Sequence, residues 1–181
     1  KQCDVVIGIT TGGAQGMTTE ERFAVIERFQ PEMASANGGS MKFNFSALAQ
    51  GMNPKHDWEI PFIERTWDNV FKNTFKDIEY CISTMYRCGT RPEFEVFDYG
   101  QLNNLAYFFK HSEIEKPVYL QFVPGITGGM PMSYEGLTFM IDQAKKTFGN
   151  DVQFSTVAAG RRMFRFSTFM ALQGGNVRVG M

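Results

Sequence analysis

Residues 118–148 read VYLQFVPGITGGMPMSYEGLTFMIDQAKKTF, and this stretch contains one complete strand–loop–helix unit. Val118–Val123 is a short apolar run that ends at Pro124-Gly125, which is typical of a buried strand followed by a turn. Ser133 then begins a helix whose apolar residues recur three and four positions apart on one side. These residues are Leu137, Met140, Ile141, Ala144 and Phe148. The stretch therefore predicts a βα unit with its helix packed on a sheet.

The same alternation of strand and helix recurs on both sides of this unit. Strands are predicted over residues 4–9, 32–36, 93–97, 118–123, 152–157 and 176–179. Amphipathic helices are predicted between them, beginning at Thr18, covering Val70 to Gly89, following Asp98, following Ser133 and covering 161–172. Strict alternation predicts parallel strands covered by helices. Six strands in this pattern fit a partial (β/α)₈ barrel and a doubly wound open sheet equally well.

Residues 45–65 interrupt the alternation. Gly51, Pro54 and Pro61 divide this segment, so it is predicted to be an irregular insertion within a single domain that covers 1–181. Trp58 and Trp67 are predicted to be packing residues, with an aromatic cage for a quaternary amine as the alternative.

Composition excludes several classes of protein. A net charge of -1 argues against a nucleic-acid-binding protein, and the apolar runs are too short to span a membrane. Three cysteines without CxxC spacing favour a reducing, cytoplasmic location over a disulfide framework. No acidic residue follows Asp151, whereas Arg161, Arg162, Arg165 and Arg178 all do. This final stretch is either a solvated face or a surface that receives an anionic substrate or cofactor.

The polar residues at the predicted strand ends are the candidates for chemistry, because the ends of parallel strands meet at one edge. Glu95 alternates with apolar residues inside a strand, so its carboxylate is expected to face a site. Arg178 lies between two valines, where an arginine commonly binds a carboxylate or phosphate. His56 and His111 show no HxH or HxxxH spacing, so the chain contains no zinc triad of its own.

A series of segments at these strand ends carries a family resemblance. The segments are ITTGG (9–13), PEMASANGGS (31–40), NTFKDIE (73–79), RPEFEVFDYG (91–100), QFVPGITGGMP (121–131), AAGR (158–161) and GGNVRVG (174–180). In order and spacing they resemble the β-keto acid cleavage enzymes, typified by 3-keto-5-aminohexanoate cleavage enzyme. The resemblance implies a (β/α)₈ TIM barrel of which this chain supplies strands three to eight.

The resemblance also implies a reaction and its site. It predicts a transferase that joins a β-keto acid and acetyl-CoA and releases acetoacetate and a new acyl-CoA, with zinc at the barrel mouth. The zinc ligands would lie before Lys1 and after Met181, so none is expected in this chain, and the 181 residues alone are expected to be inactive. A homo-oligomer is also expected. Matching positions make Arg178 catalytic, assign Arg161 to cofactor binding, and assign substrate binding to Thr10, Ser40 and Glu95.

Two other functions fit the same sequence pattern. One is a different (β/α)-barrel lyase or aldolase that acts on a phosphorylated substrate. A Schiff-base aldolase needs a strand lysine, which none of the six predicted strands carries. The other is a non-catalytic binding protein, since a fold alone does not determine function.

Overall fold

The computed structural model describes residues 3–111, 113–158 and 160–180, and its centre is one sheet of six parallel strands. The strands lie in the sheet in their order along the chain. They are β1 (Gly8–Ile9), β2 (Met33–Asn37), β3 (Arg91–Val96), β4 (Val118–Phe122), β5 (Val152–Thr156) and β6 (Asn176–Val177). Ala159 of the AAGR segment lies outside the described residues.

Helices connect successive strands. They are α1 (Thr19–Phe29), α2 (Glu59–Glu64), α3 (Phe75–Arg87), α4 (Tyr99–Lys110), α5 (Tyr134–Phe148) and α6 (Met163–Leu172). The predicted helix starts are confirmed at Thr18, Asp98 and Ser133, whose side chains accept hydrogen bonds from backbone N–H groups of the first helical turn. Among the described residues, no helix combines the length and apolar character needed to cross a bilayer.

The strand order and the position of the core exclude the doubly wound sheet. In β3, Phe94 and Val96 are buried against the helices, whereas Glu93 and Glu95 alternate with them onto the other face. A doubly wound sheet reverses its strand order and carries helices on both faces. Here the order never reverses, and one face is polar. The fold is therefore a curled half-barrel with helices outside, consistent with part of a TIM barrel.

The main core fills the space between the sheet and the helices. Its most completely buried large side chains come from both layers: Phe23, Ile26, Ile78, Met85, Phe94, Leu102, Leu105, Leu120, Phe122, Leu137, Ile141 and Met170. Burying one such side chain contributes about 1.5–3 kcal/mol. The apolar positions on which the helix predictions rest, from Leu137 to Phe148 in α5 above all, supply this core.

Several predicted boundaries differ from the observed ones. The third helix begins at Phe75, not Val70, because Thr74 and Asp77 form a capping box that fixes its first turn. The first strand is shorter than predicted, since only Gly8–Ile9 pairs with β2, and residues 3–7 before it are exposed. The last strand, predicted over 176–179, likewise ends at Val177.

The predicted insertion is more regular than expected. Met41 and Phe71 form an antiparallel bridge, with N–O distances of 3.1 and 2.9 Å, that closes the base of the segment between them. This segment, called the excursion below, contains α2 flanked by 3₁₀ turns at Ser46–Gly51 and Arg65–Asp68. Its tryptophans do not pack inside: Trp58 and Trp67 are both exposed.

Candidate functional site

A row of polar side chains crosses the inner face of the sheet near the carboxyl ends of its strands. The strand register pairs Asn37 with Glu95, Glu95 with Gln121, and Gln121 with Ser155. Side chains that are paired in register point to the same face of a sheet. Four neighbouring strands therefore each contribute one polar group to a single row.

Arg178 joins this row from the end of β6. Its backbone N–H donates to the Thr156 carbonyl at 3.0 Å, which continues the parallel pairing beyond the strand. Its Nη1 group donates to Glu95 Oε1 at 3.2 Å and to Gln121 Oε1 at 2.8 Å. The predicted pair, Glu95 and Arg178, thus forms an ion pair between β3 and the end of β6.

The guanidinium of Arg178 keeps much of its hydrogen-bonding capacity. An arginine has five N–H donors. Two bonds from Nη1 leave three donors, on Nη2 and Nε, with no partner among residues 3–111, 113–158 and 160–180. The side chain is 53% exposed, so this free edge is accessible to a ligand.

A second layer of hydrogen bonds supports the pair. Gln121 Nε2 donates to Glu93 Oε1 at 2.8 Å and to Ser155 Oγ at 3.3 Å. Asn37 Nδ2 donates to Glu95 Oε2 at 3.4 Å, whereas its buried Oδ1 has no partner within the described part of the chain. The network orients Glu95 and Arg178 and leaves one buried acceptor unsatisfied beside them.

Burial and the charge of Arg178 shift the pKa values of Glu93 and Glu95 in opposite directions. Burial raises the pKa of Glu95, and the charge and hydrogen bond of Arg178, together with the hydrogen bond from Asn37, counteract part of this rise. Burial also raises the pKa of Glu93, where Arg178 lowers it and the charge of Glu95 raises it further. Arg178 is thus the group that favours the ionised form of both carboxyls.

Two cavities meet at the ion pair. The inner cavity, about 220 Å³, is lined by Thr10, Ser35, Glu93 and Arg178, together with further residues of β1 and β2. The outer cavity, about 800 Å³, begins at Glu95 and extends between the β1–α1 loop and the excursion. Arg178 belongs to the inner wall and Glu95 to the outer wall, so their contact lies between the two spaces.

The two threonines of the β1–α1 loop, Thr10 and Thr11, make different contacts. Thr11 is buried and bound to β2: its N–H donates to Ser35 Oγ at 3.1 Å and its hydroxyl donates to the Ser35 carbonyl at 2.7 Å. Thr10 is exposed on the inner cavity, and its hydroxyl oxygen accepts the Gly12 N–H at 3.2 Å. The Thr10 hydroxyl proton therefore remains available to a ligand.

The structure does not bring all predicted site residues together. Thr10, Glu95 and Arg178 line the two adjoining cavities. Ser40 lies on neither wall, and its hydroxyl oxygen accepts the Asn73 N–H at 2.8 Å. Arg161 is exposed in a 3₁₀ turn, Gly160–Arg162, that follows β5. Substrate binding by Ser40 and cofactor binding by Arg161 stay predictions.

Sequence reasoning missed Gln121, the residue with the most contacts in the network. Its signal was present: Gln121 is the only strongly polar residue in the VYLQFV run. Asn37 was visible as part of ANGGS but was passed over for the hydroxyl of Ser40. Glu93 lies one inward-facing position before Glu95 in β3, and it contacts the network through Gln121.

The described residues do not form a zinc site on their own. Among them, no three His, Cys, Asp or Glu side chains are grouped so that they could hold a metal ion. His56 is exposed and stacks on Trp58, and His111 Nδ1 lies 2.7 Å from the Tyr107 carbonyl oxygen.

The family model for the beta-keto acid cleavage enzymes matches residues 1–181, and the chain belongs to this family. It is similar to 3,5-dioxohexanoate:acetyl-CoA acetone transferase from Paraburkholderia graminis, with 41% identity over 99% of this chain and 58% of the relative. It is also similar to 3-keto-5-aminohexanoate cleavage enzyme from Acetoanaerobium sticklandii, with 30% identity over 98% of this chain and 55% of the relative. The chain thus spans little more than half of these curated relatives.

Solved structures support the fold. The apo structure of ObcA matches 97% of this chain and 40% of its own chain with a TM-score of 0.68 at 19% identity. A ternary complex of ObcA with a C4-CoA adduct and oxalate matches with a TM-score of 0.64, also at 19% identity. At this level of identity the likeness concerns the fold alone.

Proposed function

We propose that the protein containing this chain cleaves a β-keto acid with acetyl-CoA and releases acetoacetate and a new acyl-CoA. The observation that carries the proposal is the network of Arg178, Glu95 and Gln121. Arg178 lines the inner cavity, and three of its N–H donors have no partner within the described part of the chain. Membership of the β-keto acid cleavage family supports it, as do the names of relatives that use acetyl-CoA.

The proposal includes a complete eight-stranded barrel in which the present strands are the third to the eighth. Both edges of the sheet support this. Val5, Val6 and Ile7 beside β1 are exposed, and so are Val177 and Val179 at β6. Apolar side chains along two unpaired edges favour further pairing, which closure into a barrel supplies. The 181 residues alone are accordingly proposed to be inactive.

Arg178 and Thr10 are proposed to bind the carboxylate of the keto acid. The free Nη2 and Nε edge of a guanidinium matches a carboxylate in a bidentate arrangement. The Thr10 hydroxyl faces the same cavity and adds a third donor. Glu95 and Gln121 both hold Nη1, so they fix the rotation of the guanidinium plane before the substrate arrives. Ser40 is retained in the proposal as a further hydroxyl at the next strand end.

The reaction then needs the acidic carbon next to the keto group to lose a proton. The resulting carbanion attacks the thioester carbonyl of acetyl-CoA and forms a carbon–carbon bond. The tetrahedral adduct expels the CoA thiolate, which then attacks the keto carbon. Cleavage of the original carbon–carbon bond gives the new acyl-CoA and the carbanion of acetoacetate, and this carbanion takes up the proton lost in the first step. Through this sequence Arg178 and Thr10 hold the carboxylate in place, which aligns the reacting carbons.

The coenzyme is proposed to approach from the side of β5 and β6. Arg161, Arg162 and Arg165 are exposed, and no ion pair of theirs occurs within residues 3–111, 113–158 and 160–180. The phosphates of CoA are the anions that such a surface attracts. Arg161, in the turn directly after β5, is the proposed contact.

Zinc, a cytoplasmic location and a homo-oligomer complete the proposal on the family resemblance. The zinc ligands would lie outside the 181-residue sequence. Metal analysis of the full-length protein, before and after dialysis against a chelator, tests the zinc directly. One zinc per chain is expected, and a metal-free protein of unchanged thermal stability would contradict it.

Product analysis tests the reaction. The full-length protein would be incubated with a β-keto acid and acetyl-CoA that carries ¹³C in the acetyl group, followed by mass spectrometry. The expected result is labelled acetoacetate and an unlabelled new acyl-CoA, because the acetyl carbon joins the acetate unit of the keto acid. Cleavage of a phosphorylated substrate without acetyl-CoA would instead identify a different barrel lyase.

A further inference from the structure

The outer cavity is large and begins at the site. Glu95 and Asn37 lie at its inner end, next to Phe97 at the end of β3. From there it extends outward between the β1–α1 loop and the excursion, with a volume of about 800 Å³. Cavities of roughly 300–1,000 Å³ accommodate small organic molecules. The space therefore exceeds what the reacting carbons of a keto acid require.

Aromatic rings form a continuous wall along this cavity. The rings of Phe45 and Phe43 lie 5.7 Å apart, and those of Phe43 and Phe71 lie 5.9 Å apart, measured between centroids. Phe43 and Phe71 also pack on a buried cluster that contains Phe97. These ring distances fall in the favourable range for aromatic pairs. The wall thus runs from the strand end, beside Glu95, out to the excursion.

Arg22 holds this wall against the β1–α1 loop. It is only 5% exposed, and its guanidinium carbon lies 4.5 Å from the centroid of the Phe71 ring. Nε donates to the Thr11 carbonyl at 3.1 Å, Nη1 to the Lys72 carbonyl at 3.2 Å, and Nη2 to Asn73 Oδ1 at 2.8 Å. One buried side chain therefore connects the loop that carries Thr10 to the base of the excursion.

The charges around the cavity cancel and are mostly engaged. Three acidic and three basic residues line it: Glu20, Asp77 and Glu95, and Arg22, Lys72 and Lys76. Lys72 pairs with Asp77 at 3.8 Å, and Glu95 pairs with Arg178 at 3.2 Å. Arg22 donates to oxygens of the loop and the excursion base, and its charge over Phe71 disfavours a second cation on the same wall. Glu20 and Lys76 carry the remaining charges, one of each sign, so the lining has no net charge that would favour an ionic substituent.

We propose that the outer cavity binds the substituent on the keto carbon of the substrate and selects an uncharged, carbon-rich substituent. The inference rests on the proposed function and names the substrate class for that same site. The substrate carboxylate lies at Arg178 and Thr10, and the substituent extends past Glu95 along the rings of Phe43, Phe45 and Phe71. The CoA phosphates belong to the other flank of the sheet, after β5.

Phe45 is the residue that tests this assignment. Its ring lies at the outer end of the wall, whereas its backbone N–H is held by Thr66 Oγ1 at 2.9 Å, a bond that a substitution retains. Phe45→Ala removes the ring, and Phe45→Leu keeps an apolar side chain. Phe29→Ala is the matched control, because Phe29 is exposed at the end of α1 and lines neither cavity.

The experiment compares full-length wild type and variants on three β-keto acids that differ only at the end of the substituent: methyl, ammonium and carboxylate. Wild type is expected to have its highest kcat/KM with the methyl compound. Phe45→Ala is expected to raise KM for that compound about tenfold, the loss typical for one apolar contact in a pocket. Phe45→Leu should keep the KM for the methyl compound close to the wild-type value. The KM for acetyl-CoA should be the same in wild type and in every variant.

Results that would overturn the inference can be distinguished from results that would refute the proposed reaction. A wild-type preference for the ammonium or carboxylate compound, with acetoacetate still formed, overturns the inference and leaves the proposed reaction standing. A rise in KM for acetyl-CoA in Phe45→Ala, with the ranking of keto acids unchanged, assigns the cavity to the coenzyme and also overturns it. Turnover of no keto acid refutes the proposed reaction and the inference with it. Circular dichroism and thermal unfolding confirm that each variant is folded.

Discussion

The substitution Glu95→Gln separates the catalytic from the structural contribution of the ion pair. Glutamine keeps the size of the side chain and one acceptor oxygen, but it removes the negative charge that faces Arg178 Nη1 at 3.2 Å. If Glu95 serves to orient Arg178 for a substrate carboxylate, activity should fall far more than stability.

The expected loss of stability is small for two reasons. Arg178 is 53% exposed, so solvent screens the pair, and such pairs contribute about 0–1 kcal/mol. Burial also raises the pKa of Glu95 above its unfolded value of 4.5. A carboxyl with a raised folded pKa contributes stability below that unfolded value and loses it as the pH rises through the folded pKa. At neutral pH we therefore expect Glu95→Gln to lower Tm by less than about 4 °C.

The expected loss of activity is larger. A hydrogen bond to a charged group contributes about 1.5–3 kcal/mol, which corresponds to roughly 10- to 150-fold. Without the carboxylate charge, only neutral amide oxygens accept from Nη1, and the guanidinium rotates more freely. We expect kcat/KM for the keto acid to fall by this factor, with acetoacetate release as the assay. The KM for acetyl-CoA should change less.

Glu115→Gln is the matched control. Glu115 pairs with Arg91 Nη1 at 3.2 Å, the same distance, but Arg91 is the first residue of β3 and lies at the opposite end of the strand. The control should show a similar small change in Tm and wild-type activity. Equal activity losses in both variants, or wild-type kcat/KM in Glu95→Gln, would refute the reasoning.

Three further predictions concern the fold that supports the site. Gly128→Ala should cost at least about 2 kcal/mol in thermal unfolding, because Gly128 has φ +106° and an added Cβ would overlap the backbone carbonyl of Lys42. Burial would raise the pKa of Asp77, but hydrogen bonds, from Thr74 foremost, outweigh it and lower the pKa. The ionised Asp77 therefore stabilises the fold above pH 3.8, and this contribution is lost as the pH falls through the lower folded pKa. In denaturation experiments, the free energy of unfolding of Asp77→Asn should be below that of wild type at pH 7, and the two values should converge in acid. Burial raises the pKa of the Cys81 thiol to about 12, so mass spectrometry should find Cys81 unalkylated in the native protein and alkylated after denaturation.

Each of these three predictions has a control variant or a result that would contradict it. Gly149→Ala keeps the positive φ of +69° but meets no atom within 4 Å, so it should cost only the backbone strain, about 1–3 kcal/mol, without any overlap. Equal stability of the two alanine variants would contradict the overlap at Gly128. A difference for Asp77→Asn that persists unchanged in acid, or native alkylation of Cys81, would likewise oppose the explanations given for those residues.

Features set by neighbouring residues were predictable from the sequence. The caps at Thr18 and Ser133 depend on residues within one helical turn, and both occur as predicted. The inward direction of Glu95 follows from the two-residue period of a strand. Where two local signals competed, the stronger decided the outcome: the capping box at Thr74 starts α3, although the apolar spacing extends back to Val70.

Features set by distant residues were not predictable. Ser40 has the right residue type at a strand end, but its hydroxyl binds the backbone of Asn73, 33 residues away. Nothing near Gln121 in the sequence indicates that Arg178 and Glu93 will meet its amide from two other strands. Periodicity likewise could not choose between barrel and open sheet, because that choice depends on the order in which strands pair.

The most direct test of the account is the activity of full-length Arg178→Ala with and without added guanidinium. Losing two charge-assisted hydrogen bonds to the substrate carboxylate should lower kcat/KM roughly 100- to 10,000-fold. Because the Arg178 side chain is half exposed, free guanidinium can reach its place, and it should restore part of the acetoacetate release that sodium chloride at equal ionic strength does not. Wild-type turnover of keto acid and acetyl-CoA by Arg178→Ala would contradict the account.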